Sequence, residues 1–297
     1  MKYGIPYQGS KSTIVEWVIS NLPSADVFVD LFAGGCAVTH GALLSGRYAY
    51  VLANDLDDGP ITFKRAVEGD FKDYYNVPTR EEFKDSSDFV TKLLYSFGNN
   101  CRDYLWSRSL ESVKVAASKM LSAPSLYERR MCYFVFLSEL GVYLNGVQGL
   151  QGLEGLERLE GLERLQGLER LERLERLEGL ERLERLEGLQ RLIISKKDYR
   201  NVAIPENSIV YADPPYKNTA QYNIPFDYDA FEAWLDETTY PVFVSEYTCP
   251  KNCVEIASRA KTNHFSAVNK ARKTVERLFV QKRFLNEYRE RMNLIVV

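Results

Sequence analysis

Apolar residues in the first 55 positions come in short runs separated by turns and by segments with helical spacing. Residues 12–22 and 37–45 predict helices, and residues 27–31 and 48–53 predict buried strands. The second strand follows the first through Gly34-Gly35 and a helix, which is a β–loop–α–β arrangement. The N-terminal segment therefore predicts an α/β domain.

The last third of the chain returns to this alternation, after a mainly helical pattern over residues 60–145. Strands are predicted over residues 208–212, 242–246, 277–280 and 294–297, and helices over residues 229–237 and 254–260. A sheet built from both ends of the chain, split by a long insertion, is the predicted architecture.

An apolar residue occupies every third position from Leu144 to Leu192, in a Leu-Glu/Gln-Arg/Gly triplet. An α-helix turns about 300° in three residues, so its leucines would drift around the surface. A narrow solenoid aligns the leucines, and seven glycines in the third position, from Gly149 to Gly188, favour it over a distorted helical hairpin. Good helix formers in the triplet favour the hairpin, so both interpretations stay open and the solenoid is slightly preferred.

The net charge of the chain is informative only when the repeat and the rest of the sequence are counted separately. The net charge of −3 equals that of residues 150–192, which hold 8 Arg and 11 Glu; outside them 30 basic and 30 acidic residues balance. Net charge therefore neither supports nor excludes a nucleic-acid partner, and a local basic patch is the feature to look for.

The expected cellular compartment and the expected absence of a metal site both rest on features that the sequence lacks. It has no long apolar stretch and no signal-peptide pattern at its start, which favours a cytoplasmic protein without a membrane span. Five scattered cysteines imply no disulfide framework, and the Cys249/Cys253 pair has no second pair to complete a zinc site. We expect free thiols and no metal.

The strongest chemical signal is Asp213-Pro214-Pro215-Tyr216, directly after a buried strand. Loops after parallel strands are where α/β proteins place ligands. The prolines fix a turn with outward carbonyls. A carboxylate beside such a carbonyl suits an exocyclic amine, and the tyrosine offers a face for stacking.

Three weaker motifs precede it. Asp30 to Gly35 is a strand–turn–helix in which glycine lets a ligand approach the backbone. Asp55 ends the next strand, as acids that bind ribose hydroxyls do. Lys11, in Tyr7-Gln-Gly-Ser-Lys11, lies before a helix and is suited to meet a carboxylate. Neither a dinucleotide fingerprint nor a P-loop is present.

In this order the four motifs resemble the Dam-type, or D12, class of adenine-N6 DNA methyltransferases, over roughly residues 3–60 and 193–280. The resemblance implies a Rossmann-like fold, S-adenosylmethionine as methyl donor, and adenine in double-stranded DNA as substrate. The catalytic residues it implies are Asp213, Pro214, Pro215 and Tyr216. The implied cofactor-binding residues are Tyr7, Lys11, Asp30, Phe32, Ala33, Gly34, Gly35, Asp55, Asp198 and Tyr199.

The target-reading region departs from the family pattern. The expected Asn-Arg/Lys…Phe-Asn-Gly-Leu segment is replaced by Leu144-Asn-Gly-Val-Gln-Gly-Leu150, which runs into the repeat, so a GATC target is not implied. Candidate DNA contacts and pocket residues are Lys217, Asn218, Gln221, Tyr222, Arg259, Lys261, Lys270, Arg272 and Lys273.

The predicted organisation is a catalytic domain of residues 1–60 and 193–297, a helical target-recognition region over residues 61–143, and the repeat over residues 144–192. Two other functions stay open: methylation of an amine in RNA or another substrate, and a decayed scaffold whose repeat binds a protein partner. The sequence leaves restriction-modification, protection of a bacteriophage and regulation undecided, along with the oligomeric state.

Overall fold

A computed structural model of the chain describes residues 3–69, 76–148, 189–216, 226–263 and 272–293. Apart from residues 144–148 and 189–192, the repeat lies outside the described residues, and so does the strand predicted over residues 294–297. None of the helices in the described ranges is long and apolar enough to cross a membrane.

The elements alternate at both ends of the chain and are helical between them. The helices are α1 (Val15–Ser20), α2 (Ala37–Ser45), α3 (Gly59–Val67), α4 (Arg80–Asp85), α5 (Phe89–Leu94), α6 (Arg108–Ser122), α7 (Leu126–Gln148), α8 (Tyr228–Glu237) and α9 (Leu285–Asn293). The strands are β1 (Val27–Asp30), β2 (Tyr50–Asn54), β3 (Leu192–Ser195), β4 (Ser208–Ala212), β5 (Val242–Glu246), β6 (Cys253–Asn263) and β7 (Arg272–Gln281).

The described strands form one seven-stranded sheet in the order β3-β2-β1-β4-β5-β7-β6. β1 to β5 are parallel, and β7 is antiparallel to both β5 and β6. From β1 the chain builds outwards to β2 and β3, and then returns to the other side of β1 with β4. The boundary between β1 and β4 is therefore the switch point, where open α/β sheets bind ligands beyond the strand carboxyl ends.

The core lies on the central strands, which are buried along their whole length. Val29 of β1, Val210 of β4 and Val244 of β5 pack with Phe231 and Leu235 of α8. Continuous apolar strands of this kind are typical of parallel sheets covered on both faces. This rigid core holds the strand ends that carry the candidate site.

The described residues divide into two units. The first holds residues 3–4, 10–63 and the described residues from 189 onwards, and it contains the sheet. The second holds residues 5–9, 64–69 and 76–148. Within the second unit Phe136 and Leu140 of α7 pack against Val113, Ala116 and Ala117 of α6.

The helices and strands expected in the first 55 residues, the helical middle, and strands 208–212, 242–246 and 277–280 are all confirmed. The helix expected over residues 254–260 is wrong, because these residues belong to β6. This segment pairs with β7 over ten positions, from Cys253–Gln281 to Asn263–Arg272. Ladder pairing with a neighbouring strand overrides the modest helix preference of its Glu, Ala and Arg residues.

Candidate active site

Two aspartates meet at the switch point of the sheet. Asp30 is the last residue of β1 and lies in register with Tyr211 of β4. Asp213 follows the end of β4 by one residue. The topology thus brings together two carboxylates that are 183 positions apart in the sequence.

Asp30 is held from the side of α2. Its Oδ2 accepts hydrogen bonds from the hydroxyl of Thr39 at 2.8 Å and from the Thr39 backbone N–H at 3.2 Å. Its Oδ1 is buried and accepts no hydrogen bond from the described residues. Burial raises the pKa of Asp30 to about 7, against the Thr39 hydrogen bonds. Such an orphaned oxygen fits a cationic or hydrogen-bonding ligand group.

Asp55 fixes the glycine loop that follows β1. Its Oδ2 accepts a hydrogen bond from the Gly34 N–H at 2.7 Å, and its Oδ1 accepts one from the Asp57 N–H at 3.2 Å. Burial raises the pKa of Asp55 to about 7, and the neighbouring Asp57 adds to the increase. An acid at the end of β2 therefore lies against the loop that approaches the switch point.

Two glycines leave no room for a side chain beside this loop. A Cβ added to Gly4 would lie 2.3 Å from the carbonyl oxygen of Gly35, and one added to Gly59 would lie 2.0 Å from that of Gly34. The Gly4 N–H donates to Nδ1 of His40 at 3.1 Å. Burial lowers the pKa of His40 to about 4, so its ring is a neutral acceptor that anchors the N-terminal segment.

Asp213 forms an ion pair with a lysine from the start of the chain. Nζ of Lys11 lies 2.8 Å from Oδ1 of Asp213, and the two side chains are only 7% and 16% exposed. The same ammonium lies 4.4 Å from the ring centroid of Tyr216. The expected meeting of Lys11 with a carboxylate is confirmed, and the carboxylate is that of Asp213.

Tyr216 is fixed by Glu276 and Tyr247, which lie in two late segments, residues 274–278 and 245–247, that resemble the same family but to which the sequence assigns no role. Its hydroxyl donates to Oε2 of Glu276 at 2.9 Å, and its ring packs edge-on against Tyr247 with centroids 4.5 Å apart. Glu276 is 1% exposed and lies on β7. The available signal was an acid beside the apolar run of a strand, and only the antiparallel β5–β7 pairing brings that acid to the loop after β4.

Two other predicted cofactor residues, Phe32 and Tyr199, belong to one aromatic cluster. Phe32 packs against Tyr199 and Phe226, at centroid distances of 5.3 and 5.7 Å. Asp198 pairs with the Arg200 guanidinium at 2.8 Å, and hydrogen bonding by that group lowers the pKa of the Asp198 carboxyl. Both Tyr199 and Ala33 are buried. Tyr7 belongs to the second unit.

Some of the candidate DNA contacts lie outside the residues that the structure describes. Residues 217–225 and Lys270 fall among residues that are not described, including Lys217, Asn218, Gln221 and Tyr222. Arg259 is exposed on β6 and pairs in register with Glu276. The backbone register of the same hairpin sets Lys261 opposite Thr274 and Lys273 opposite Thr262, with Arg272 at the next pair.

Among the residues that the structure describes, no three His, Cys, Asp or Glu side chains lie close enough together to hold a metal ion. All five cysteines are free thiols, and Cys36 and Cys253 are buried.

Comparison with known proteins finds a similarity in the N-terminal part of the chain. The family model described as D12 class N6 adenine-specific DNA methyltransferase matches residues 7–145. The match includes Lys11, Asp30 and Asp55, and it ends before β4 and the Asp213 loop. Among curated proteins none matches the chain. Over residues 7–145 the chain is thus similar to the D12 class of N6 adenine-specific DNA methyltransferases.

Proposed function

We propose that this protein transfers the methyl group of S-adenosylmethionine to the N6 amine of an adenine in double-stranded DNA. The family methylates adenine N6 in DNA and uses this methyl donor. The observation that carries the proposal for this chain is the position of the Asp213-Pro-Pro-Tyr216 loop. It lies at the carboxyl end of β4, beside Asp30 at the switch point of the sheet.

The residues at the end of β1 and β2 fit the cofactor. Oδ1 of Asp30 has an unused acceptor position that suits the amino group of the methionine moiety, and Asp55 suits the ribose hydroxyls. Gly34 and Gly35 lie between them, with Gly4 and Gly59 packed too closely behind for a Cβ. When bound, the cofactor supplies an electrophilic methyl group on a sulfonium sulfur.

Asp213 and the Pro214 carbonyl act on the target amine. The N6 lone pair of adenine is delocalised into the ring, so the free amine is a poor nucleophile. Hydrogen bonds from the amine to these two acceptors favour a tetrahedral nitrogen and localise the lone pair. Positioning and electrostatics of this kind supply most of the catalysis in such a transfer.

The target adenine must leave the duplex to reach Asp213, because its amine is otherwise engaged in a base pair. Stacking on Tyr216 stabilises the extruded base. The β6–β7 hairpin supports a DNA-facing surface, since its register gathers Lys261, Arg272 and Lys273 towards the end that is remote from Cys253. Basic residues there suit phosphate contacts.

Replacement of Asp213 by Asn tests the proposal. The amide has the same shape but is a weaker acceptor, so we expect a loss of methyl transfer on the order of a hundredfold or more. Sequencing of DNA from expressing cells would show N6-methyladenine at a defined motif for the wild type and none for Asp213→Asn. Asp229→Asn is the matched control, because that side chain is 93% exposed on α8.

The other outcomes separate the alternatives. Cofactor binding without methylation of DNA would move the proposal to an amine in RNA or another substrate. A folded wild type that neither methylates nor binds S-adenosylmethionine by calorimetry would favour the scaffold with a protein-binding repeat. The same sequencing reads out the recognition sequence.

A further inference from the structure

The ammonium of Lys11 takes the place that the proposed function gives to the target amine. It lies 2.8 Å from Oδ1 of Asp213 and 4.4 Å from the centre of the Tyr216 ring. An adenine that hydrogen-bonds to Asp213 while stacking on Tyr216 needs the same carboxylate oxygen and the same ring. Lys11 and the base therefore compete for one position.

Lys11 would outcompete the adenine amine for Asp213 unless its ammonium had another partner to bind. Burial lowers the pKa of Lys11, but the carboxylates of Asp213 and Glu276 outweigh it and raise the pKa above the ordinary value. Lys11 is thus charged at neutral pH, and a charged donor binds a carboxylate more strongly than a neutral amine does. A buried cation without a counter-ion is strongly disfavoured, so it leaves Asp213 only for a second anion.

Glu276 is that second anion. Its carboxylate is buried, and its Oε2 accepts a hydrogen bond from the Tyr216 hydroxyl at 2.9 Å. It is close enough to act electrostatically on both Lys11 and Asp213. The cluster thus places two carboxylates around one ammonium, with Tyr216 in contact with both the ammonium and Glu276.

We propose that Lys11 fills the target-amine position in the absence of a base, and that Glu276 takes over its ammonium when adenine enters. This inference rests on the proposed function and makes Glu276 a positioning residue that acts through Lys11. No bond is made or broken in the exchange: one ion pair replaces another, and Asp213 is released to accept from the substrate.

Substitutions at both ends of the exchange test the inference. Glu276→Gln keeps an acceptor for the Tyr216 hydroxyl but removes the charge that receives Lys11. We expect kcat/KM for duplex DNA to fall at least tenfold, with cofactor affinity by calorimetry changed less than twofold. Adding Lys11→Met removes the competing ammonium, so the double variant should be at least fivefold more active than Glu276→Gln alone.

Tyr216→Phe is the control for a merely structural role of Glu276, because it removes the hydrogen bond and leaves both charges. Its defect should not be rescued by Lys11→Met. If the double variant is no more active than Glu276→Gln, Lys11 is not the obstacle and the inference is overturned. A wild type that leaves DNA adenine unmethylated would instead overturn the proposed function, and this inference with it.

A second measurement covers the case in which Glu276→Gln does not fold. Duplex DNA with 2-aminopurine at the target position fluoresces more strongly when that base is unstacked. In an otherwise wild-type protein, Lys11→Met should raise the fluorescence of the bound duplex, since this base, which has no N6 amine, no longer competes with an ammonium for the face of Tyr216. Unchanged fluorescence with unchanged DNA affinity would contradict the placeholder role of Lys11.

Discussion

Burial raises the pKa of two carboxyls at the carboxyl ends of β1 and β2. Asp30 and Asp55 both have their pKa raised to about 7, chiefly because the folded chain removes them from water. In the folded protein they bind more protons than in the unfolded chain between about pH 4 and 7. Their contribution to the free energy of unfolding therefore falls as the pH rises through this window.

The affinity of the protein for the cofactor should depend on the ionisation of the same two carboxyls. In the proposed function, Asp30 binds the amino group of the sulfonium cofactor and Asp55 binds its ribose hydroxyls, so the cofactor would favour the ionised form of both carboxyls. A carboxyl with a pKa near 7 gains about tenfold in ionised fraction from pH 6 to 8, so affinity should rise by ~10- to 100-fold over this range.

Calorimetry in two buffers of different ionisation enthalpy checks this prediction by detecting protons released on binding at pH 7. Asp55→Asn should reduce the number of protons released and flatten the pH dependence. Exposed Asp229→Asn should change neither. Affinity that stays constant from pH 6 to 8 would show that these carboxyls are already ionised in the free protein.

At the scale of elements, the close approach behind the β1–α2 loop can be tested with two glycines. Gly4 and Gly46 have nearly the same backbone, with φ of +69° and +67°, which is strained for other residues. A Cβ on Gly4 meets the Gly35 carbonyl at 2.3 Å, whereas one on Gly46 meets nothing within 4 Å. Alanine at either position should cost about 1–2 kcal/mol of stability from the backbone alone.

Only Gly4→Ala should also displace the loop, and so weaken S-adenosylmethionine binding by at least tenfold. Thermal unfolding and calorimetry on the two variants separate the effects. Equal cofactor affinity in both would mean that the N-terminal segment moves aside and leaves the loop in place.

The sequence predicts elements well where burial is continuous. The apolar runs that became β1, β4 and β5 are read directly, because a strand buried on both faces needs no partner to be recognised. β6 is missed because its pattern is mixed and its structure depends on pairing with β7.

The same limit applies to the site. Asp30, Asp55 and Asp213 are predictable as polar residues that end strands. The Lys11–Asp213 pair joins residues 202 positions apart, and the place of Glu276 depends on the direction of β7. The chemistry of the site is therefore visible in the sequence, whereas its charge balance emerges only from the sheet order.

Across the whole molecule, the sheet is interrupted by 137 residues between Asn54 and Leu192. The chain returns as β3, which pairs with β2 in register from Val51–Leu192 to Asn54–Ser195. Arg191 donates to the carbonyls of Leu43 and Tyr48, and the Asn54 side chain binds the backbone of Lys197. Within the repeat, these contacts involve only its last two residues, Arg191 and Leu192, so the point of return is fixed without residues 151–186.

Removal of residues 151–186, which are twelve whole triplets, should therefore leave the sheet intact. If the insertion closed as a flexible chain, shortening it from 137 to 101 residues would change the closure free energy by only about 0.3 kcal/mol. We expect the unfolding temperature to shift by about 1 °C and methyl transfer to persist.

Deletion of residues 151–185 is the control, because it is nearly as long but breaks the triplet register. A large loss of stability in both variants would show that the repeat packs onto the sheet. A loss in the control alone would show that the register itself carries structure, because the two deletions differ by one residue.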